Sequence, residues 1–405
     1  MVLGLFGRGQ SAVPEAKASA VGPLTAGRIS PWIGNTNSGV RPTWGPVDGR
    51  SLVRNGFQSN PVGFRAVRLI AEAAAALPLV LQDCDRRYET HPMLILMRQP
   101  NPVQGRADFL EALFSQLLLS GNAYVEAVTE TDPLGVLALP IELHVLRSDR
   151  MRVLPGADGW PQAYEYSVGS RKHRFDMTGE VAPVCHVRSF HPLDDHYGLS
   201  PLEAAATALE VHNAASRWSQ ALLENAARPS GAIVYTGADG HGGLSPDQYD
   251  RLVAEIEANH QGARNAGRPM LLEGGLDWKQ MGFSPSDMEF QQTKEAAARE
   301  IAMAFGVPPM LLGIPGDATY ANYQEANRAF YRLTVVPLAT RVAAALAYWL
   351  SGFSGETVDL RPDLDQVPAL AEERDQQWRR VGDATFLTDA EKRAILGLPR
   401  LSEAT

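Results

Sequence analysis

Lysine is scarce in this chain of 405 residues: Lys17, Lys172, Lys279, Lys294 and Lys392 are the only five. None follows a glycine and none precedes Ser or Thr, so there is no Gly-Lys-Ser/Thr loop whose amides could cradle phosphates while a lysine neutralises them. That excludes a P-loop motor. Cysteine is rarer still: Cys84 and Cys185 are too few and too far apart for a disulfide scaffold, which points to a reducing interior and to thiols that act as small buried hydrophobes. No apolar run reaches the roughly 18 residues that cross a bilayer, and Met1 to Phe6 is too short and too glycine-broken for a signal peptide. The expectation is a soluble, cytoplasmic protein with no membrane partner, and a membrane channel is disfavoured. A surplus of positive charge is also missing. With 46 acidic against 37 basic residues and a formal net charge of -9, the surface cannot grip phosphates tightly, and any contact with DNA is local or transient.

What is present is enough apolar material, 45% of the residues, for a sizeable core shared by two or three modules. The first stretch, to about Arg50, is rich in Gly, Pro, Ser, Thr and Asn and lacks periodicity, which predicts an arm. Trp32 and Trp44 in that arm dock either on a neighbouring subunit or on the chain's own body. Order is expected from Asn60-Pro61, a cap followed by proline in the first helical turn, with Val67, Ile70, Ala74 and Leu77 on one face until Pro78. A second helix follows Asn101-Pro102 and ends at Gly121. The segments 123–128, 141–147, 163–168 and 184–190 read as strands, giving an α+β module over 55–200.

Ser200-Pro201-Leu202-Glu203 then reads as a capping box opening a long helix to Ala227, roughly 40 Å at 1.5 Å per residue. An insertion at 229–283 holds strands at 232–236, 269–272 and 276–281 and a helix after Ser245-Pro246-Asp247-Gln248. A second long helix is expected from Ser286 to Phe305, ended by Gly306-Val307-Pro308-Pro309. Residues 313–322 read as an exposed loop, and a third long helix, kinked at Pro337, follows it. Thr388-Asp389-Ala390-Glu391 opens a last short helix before Gly397.

The chain resembles the portal family of tailed phages, in its short siphophage-like form. The resemblance rests on Asn60-Pro61 and Leu77-Pro78-Leu79; Gln99-Pro100-Asn101-Pro102; Gly121-Asn122-Ala123-Tyr124; and His186 with Gly198-Leu199-Ser200-Pro201-Leu202. Later come Phe305-Gly306-Val307-Pro308-Pro309-Met310-Leu311-Leu312-Gly313, Tyr320, Asn322, Pro337, and Leu387-Thr388 with Arg393 and Gly397-Leu398-Pro399. It implies a helix-rich α+β portal fold assembled as a ring: an arm at 1–54, a wing at 55–200, stem helices at 201–228 and 284–308, a clip at 229–283, a tunnel loop at 309–324, a kinked wing helix at 325–354 and a crown at 355–405. It further implies a dodecamer at a capsid vertex of a phage or gene transfer agent, assembled in the host bacterial cytoplasm. The implied partners are double-stranded DNA, the terminase large subunit, the head-tail connector and the major capsid protein, with no enzyme activity and no cofactor. The loop residues expected to approach DNA are Gly316, Asp317, Ala318, Thr319, Tyr320 and Asn322, with Gly313, Pro315 and Gly316 shaping the loop; the plainer alternative is a solvated connector with Tyr320 packed back onto the helices.

Two chemical readings compete. Cys185, His186, His191, Asp194, Asp195 and His196 contain every ligand type zinc accepts, so a metal-dependent hydrolase could be built from Cys185, His186, His191 and His196, although their spacing matches no familiar signature. Gly198-Leu199-Ser200-Pro201-Leu202 begins like a nucleophile elbow but lacks the second glycine, which leaves Ser200 as a helix cap. Glu295 and Glu300, flanked by Lys294 and Arg299, read as an ordinary charged helix surface.

Overall fold

The computed structural model describes residues 49–83, 86–130, 139–225, 231–235, 276–280, 290–316 and 319–399, with 247, 250, 251 and 254. Trp32, Trp44, Cys84, the strand expected at 269–272, and Asp317 and Ala318 lie outside them. The first helix, α1 (Gly49–Val53), continues into a π turn over Arg54–Gln58, so the segment read as the end of an arm is helical. Its place is set by α2 (Pro61–Ala75), whose N-cap Asn60 accepts from the amides of Val62 and Gly63 at 3.0 Å each, with Pro61 in the first turn as expected.

Chain order then runs β1 (Leu79–Gln82), β2 (Arg87–Tyr88), α3 (Pro92–Arg98), α4 (Arg106–Ser120), β3 (Asn122–Val128), β4 (Glu142–Leu146), β5 (Met151–Pro155), β6 (Pro161–Val168), β7 (Arg171–Asp176) and β8 (Val184–Arg188). The strands expected at 123–128, 141–147, 163–168 and 184–190 are β3, β4, β6 and β8. The short β1, β2, β5 and β7 were not foreseen. β7 reads Arg-Lys-His-Arg-Phe-Asp, with only Phe175 buried, and nothing in that composition announces a strand. Two antiparallel sheets result, β4-β3-β8 and β5-β6-β7, and they share a small core of Tyr124, Leu146, Met151, Val153, Tyr164, Phe175 and Val184.

The larger core lies where α2 packs on α4 and on the last long helix. After β8 come α5 (Pro201–Ala204) and α6 (Ala206–Asn225). Ser200 caps the first of these, accepting from the Glu203 amide at 2.9 Å; Ala205, at φ -86 and ψ 3, breaks what was expected as one unbroken helix. Strands β9 (Gly231–Tyr235) and β10 (Leu276–Gln280) pair antiparallel, and α7 (Phe290–Ala304) returns to lie against α6. The β9–β10 pair therefore sits at the tip of a helical hairpin.

The last long helical run is α8 (Tyr320–Phe330), a π turn at Tyr331–Val335 and α9 (Val336–Ser354). Pro337 cannot donate and its ring crowds the carbonyl four residues back; the preceding π turn, in which the Val336 amide reaches Tyr331 O, absorbs that misfit. This run contains an 18-residue stretch long and apolar enough to cross a membrane, with mean hydropathy 1.5, although Arg341 interrupts it. The sequence reading missed it by looking for an unbroken apolar run. Val342, Leu346, Leu350 and Phe353 on one face belong to the main core, so the run is the fold's central helix. β11 (Asp359–Pro362) pairs with β1, and α10 (Ala371–Asp383) and α11 (Asp389–Leu396) follow. The Thr388–Glu391 capping box is fully formed. Arg328 bridges α8 to Glu372 on α10 at 2.7 Å, and Arg361 on β11 donates to Gly397 O.

The tightest crossing in this architecture is the passage of the π turn over α2. A Cβ placed on Gly63 would lie 2.0 Å from Gly56 O, so the crossing needs hydrogen at that position. Gly63→Ala is expected to destabilise the protein by more than about 3 kcal/mol in urea unfolding, because backbone rather than a flexible side chain must move. Gly49→Ala, which meets nothing within 4 Å, is the matched control and should leave the midpoint within about 0.5 kcal/mol of wild type.

Candidate functional site

The segment that joins the helical hairpin to the central helix is shaped by a chain of local rules. α7 ends in a Schellman turn: Gly306 adopts φ +66, its amide reaches Met303 O at 3.0 Å, and the Val307 amide reaches Ala302 O at 2.9 Å. Thr334 Oγ1 donates to Gly306 O at 2.6 Å, pinning that turn to the central helix. Pro308-Pro309 forbid further α-helix, and a single 3-10 turn, Pro309–Leu312, ends at Gly313 with φ +75. Arg299 on α7 then donates to Pro315 O at 2.6 Å, tying the loop back to the hairpin. The loop closes at Thr319, whose Oγ1 accepts from the Asn322 amide as the N-cap of α8.

Tyr320 and Asn322 are therefore in the first turn of α8 and not in a loop, which shortens the expected 313–322 loop to 313–319. The sequence signal was Thr319 itself, a good cap that lacks the glutamate three residues on that would have completed a capping box. Gly313, Pro315, Gly316, Thr319, Tyr320 and Asn322 are all exposed, and Tyr320, 78% exposed, does not pack back onto the helices.

On the first helix of the hairpin a buried polar joint fixes α6 to α2. Asn60 Nδ2 donates to Asn213 Oδ1 at 2.9 Å and lies 3.1 Å from His212 Nδ1, while Asn213 Nδ2 donates to Asn55 O at 2.8 Å. For Asn60 to donate, His212 must be neutral at Nδ1, and burial together with Lys294 on α7 lowers its pKa. Sequence reasoning identified Asn60 as a helix cap but missed its second partner 152 residues away.

The residues proposed for a metal site do not converge, and among the described residues no group of His, Cys, Asp or Glu could hold an ion. Cys185 and His186 are neighbours on β8 and so face opposite sides of the sheet, Cys185 into the main core and His186 towards the small one. Burial pushes the Cys185 thiol up to about 12. His186 stacks on Tyr124 with ring centres 4.2 Å apart and lies 3.0 Å from Asn122 Oδ1, which also accepts from the Gly198 amide at 2.8 Å. That oxygen is an acceptor, so His186 Nε2 donates, and Nδ1 accepts from the Tyr164 hydroxyl at 3.1 Å. His191 Nδ1 accepts from the Leu193 amide, and Asp194 Oδ1 from the amides of His196 and Tyr197, which makes both of them turn residues. Glu295 accepts from Gln291 on its own helix, and no acid–base pair is assembled there.

With this geometry in place, likeness to known proteins becomes informative. A model of the family described as "Phage portal protein" matches residues 61–397. The chain belongs to the phage portal protein family. Three further likenesses bear on this portal chain. An uncharacterized protein of Rickettsia bellii (strain RML369-C) is 38% identical over 351 residues, spanning 86% of the portal chain and 89% of that relative. A chain in the "Neck of native GTA particle computed with C12 symmetry" superposes with a TM-score of 0.69 at 69% identity, covering 89% of the portal chain and 96% of that chain. A "Probable portal protein" of Streptomyces phage phiC31 is 28% identical over 333 residues, 78% of this portal chain and 69% of its own length. The hydrolase reading finds no support in these likenesses.

Two side chains carry measurable consequences. Asn60→Ala removes a cap worth about 1 kcal/mol and strands His212 and Asn213, at about 1–3 kcal/mol, so unfolding should shift by about 2–4 kcal/mol. The His186 pKa is lowered to about 3, chiefly by burial and also by Arg188 and His196. Its folded value lies below the unfolded one, so the unfolded chain binds the extra proton between about pH 6.5 and pH 3, and the stability this neutral ring contributes is lost as pH falls through that window. Urea unfolding from pH 7 to pH 4.5 should show His186→Gln with a shallower loss than wild type, by up to about 1.4 kcal/mol per pH unit; equal slopes would contradict this.

Proposed function

We propose that twelve copies of this chain form a ring at one vertex of a phage-derived particle, a gene transfer agent or a tailed phage, and that double-stranded DNA passes through the ring's centre. The observation that carries this reading is the 69% identity to a chain in a gene transfer agent neck computed with C12 symmetry, over nearly the whole of that chain. The geometry agrees with it. The antiparallel pair α6 and α7, with β9 and β10 at its tip, is a strut, and identical struts set head to tail about an axis close into a ring.

In this assignment 55–200 and the central helix form the wing, α6 and α7 the stem, 229–283 the clip, the 313–319 turn with the start of α8 the tunnel loop, and 355–405 the crown. The tunnel loop faces the bore with Gly316, Asp317, Ala318, Thr319, Tyr320 and Asn322. The net charge of -9 suits a conduit, because a bore that bound phosphates tightly would stall the polymer it passes. Assembly takes place in the bacterial cytoplasm, the ring is set among major capsid proteins, the terminase large subunit docks on it during packaging and the head-tail connector afterwards. The chain itself carries out no chemistry in this reading and needs no cofactor.

Deleting residues 314–318 while keeping the Thr319 cap tests the loop assignment. Particle assembly and ring formation should persist, and protected DNA per particle, measured by nuclease-resistant yield, should fall at least tenfold. A yield equal to wild type would remove the loop from the packaging path.

A further inference from the structure

The central helix has more apolar surface than the chain covers. Its 18-residue apolar stretch has mean hydropathy 1.5, yet only 44% of it is buried within the protein. The uncovered side is one stripe: Leu333, Pro337, Arg341, Ala344 and Tyr348 recur every three or four residues and are all exposed, with the exposed Thr340 between them. Leu333 is 68% exposed and Tyr348 86%. The stripe begins at an apolar groove of about 300 Å³ between the end of α7 and the central helix, lined by Met303, Val307, Pro309, Phe330 and Leu333. Apolar patches of this kind mark surfaces that are covered in the working state.

We infer that this groove and stripe are the seat of a second copy of the same chain, the surface on which the neighbouring subunit lies in the ring. This rests on the ring reading above and adds the face through which the ring closes. Three observations select a second copy over other occupants. A neck computed with C12 symmetry repeats one chain about an axis, and a head-to-tail ring leaves every copy with a face covered only by its neighbour. The groove and the stripe are continuous through Leu333, so one occupant spans both. The stripe also has a single charge, Arg341, exposed at the surface, whose pKa partial burial lowers and which has no carboxylate partner among the described residues. In a chain with 46 acidic residues, a neighbouring copy supplies the missing carboxylate.

The test uses full-length protein and three exposed substitutions, Leu333→Asp, Arg341→Glu and Tyr348→Glu, read by mass photometry and negative-stain microscopy. Wild type should give ring-mass particles, and each variant should lose most of that population in favour of single chains while its far-UV circular dichroism and melting temperature match wild type. If Leu333→Asp melts early, Tyr348→Glu decides, because at 86% exposure its side chain touches too little of its own chain to affect folding. Rings from all three variants in wild-type yield would overturn this face while leaving the ring reading intact. A wild type that never assembles would remove the ring reading and this face together. Flotation of wild-type protein with phosphatidylcholine–phosphatidylglycerol vesicles would also overturn the inference, since it would make lipid the occupant of the stripe.

Discussion

The direction in which the helical hairpin leaves the body is governed by a polar contact buried under apolar packing. Asn60 caps α2 with its oxygen and holds α6 with its nitrogen, so the start of one helix and the flank of another are fixed by a single amide. Hydrogen bonds in such a setting are directional in a way that leucines sliding over each other are not, and leaving any partner unmade is costly. Asn213 extends the joint to Asn55 O, and the close passage of Gly56 over Gly63 allows the backbone that carries that carbonyl to come near enough. The hairpin is thereby held as a strut with a defined angle, the property a ring of repeated struts requires.

Where α7 leaves the hairpin the chain is steered by backbone rules. Gly306 turns it with a positive φ, Pro308 and Pro309 stop it re-entering a helix, and Thr334 and Arg299 tie the two sides of the turn to helices on either flank. The 313–316 segment, exposed except at the half-buried Ile314, and the first turn of α8 are thus held at both ends by structure that does not depend on what they touch. Such an arrangement suits a projecting element that meets a passing polymer, because contact at the tip can be transient without loosening the fold.

Much of this was legible in the sequence because the signals are local. Asn60-Pro61, Ser200-Pro201 and Thr388 with Glu391 are caps whose geometry follows from one or two side chains, and all three start helices where expected. The β-branched and aromatic runs of β3, β4, β6 and β8 likewise announce themselves. What stayed hidden depends on partners far along the chain. β7 is a strand because β6 pairs with it, and its own residues are basic and exposed. The helical turn at 49–58 sits in a stretch of Gly and Asn and is stabilised by packing on α2 and α6. Asn60 to His212 spans 152 positions. The histidines of 186–196 were attractive as metal ligands because composition cannot tell a ligand from a ring stacked on Tyr124 or a nitrogen capping a turn.

Everything about the proposed role turns on whether identical struts enclose an open passage. Cryo-electron microscopy of the full-length protein, purified alone, measures this directly. The account predicts closed rings with α6 and α7 lining a central opening wider than a DNA duplex of about 20 Å, and with residues 313–322 projecting into it. A map in which the chains assemble with the α6–α7 pair on the outer rim, or in which the centre is filled by protein, would contradict it.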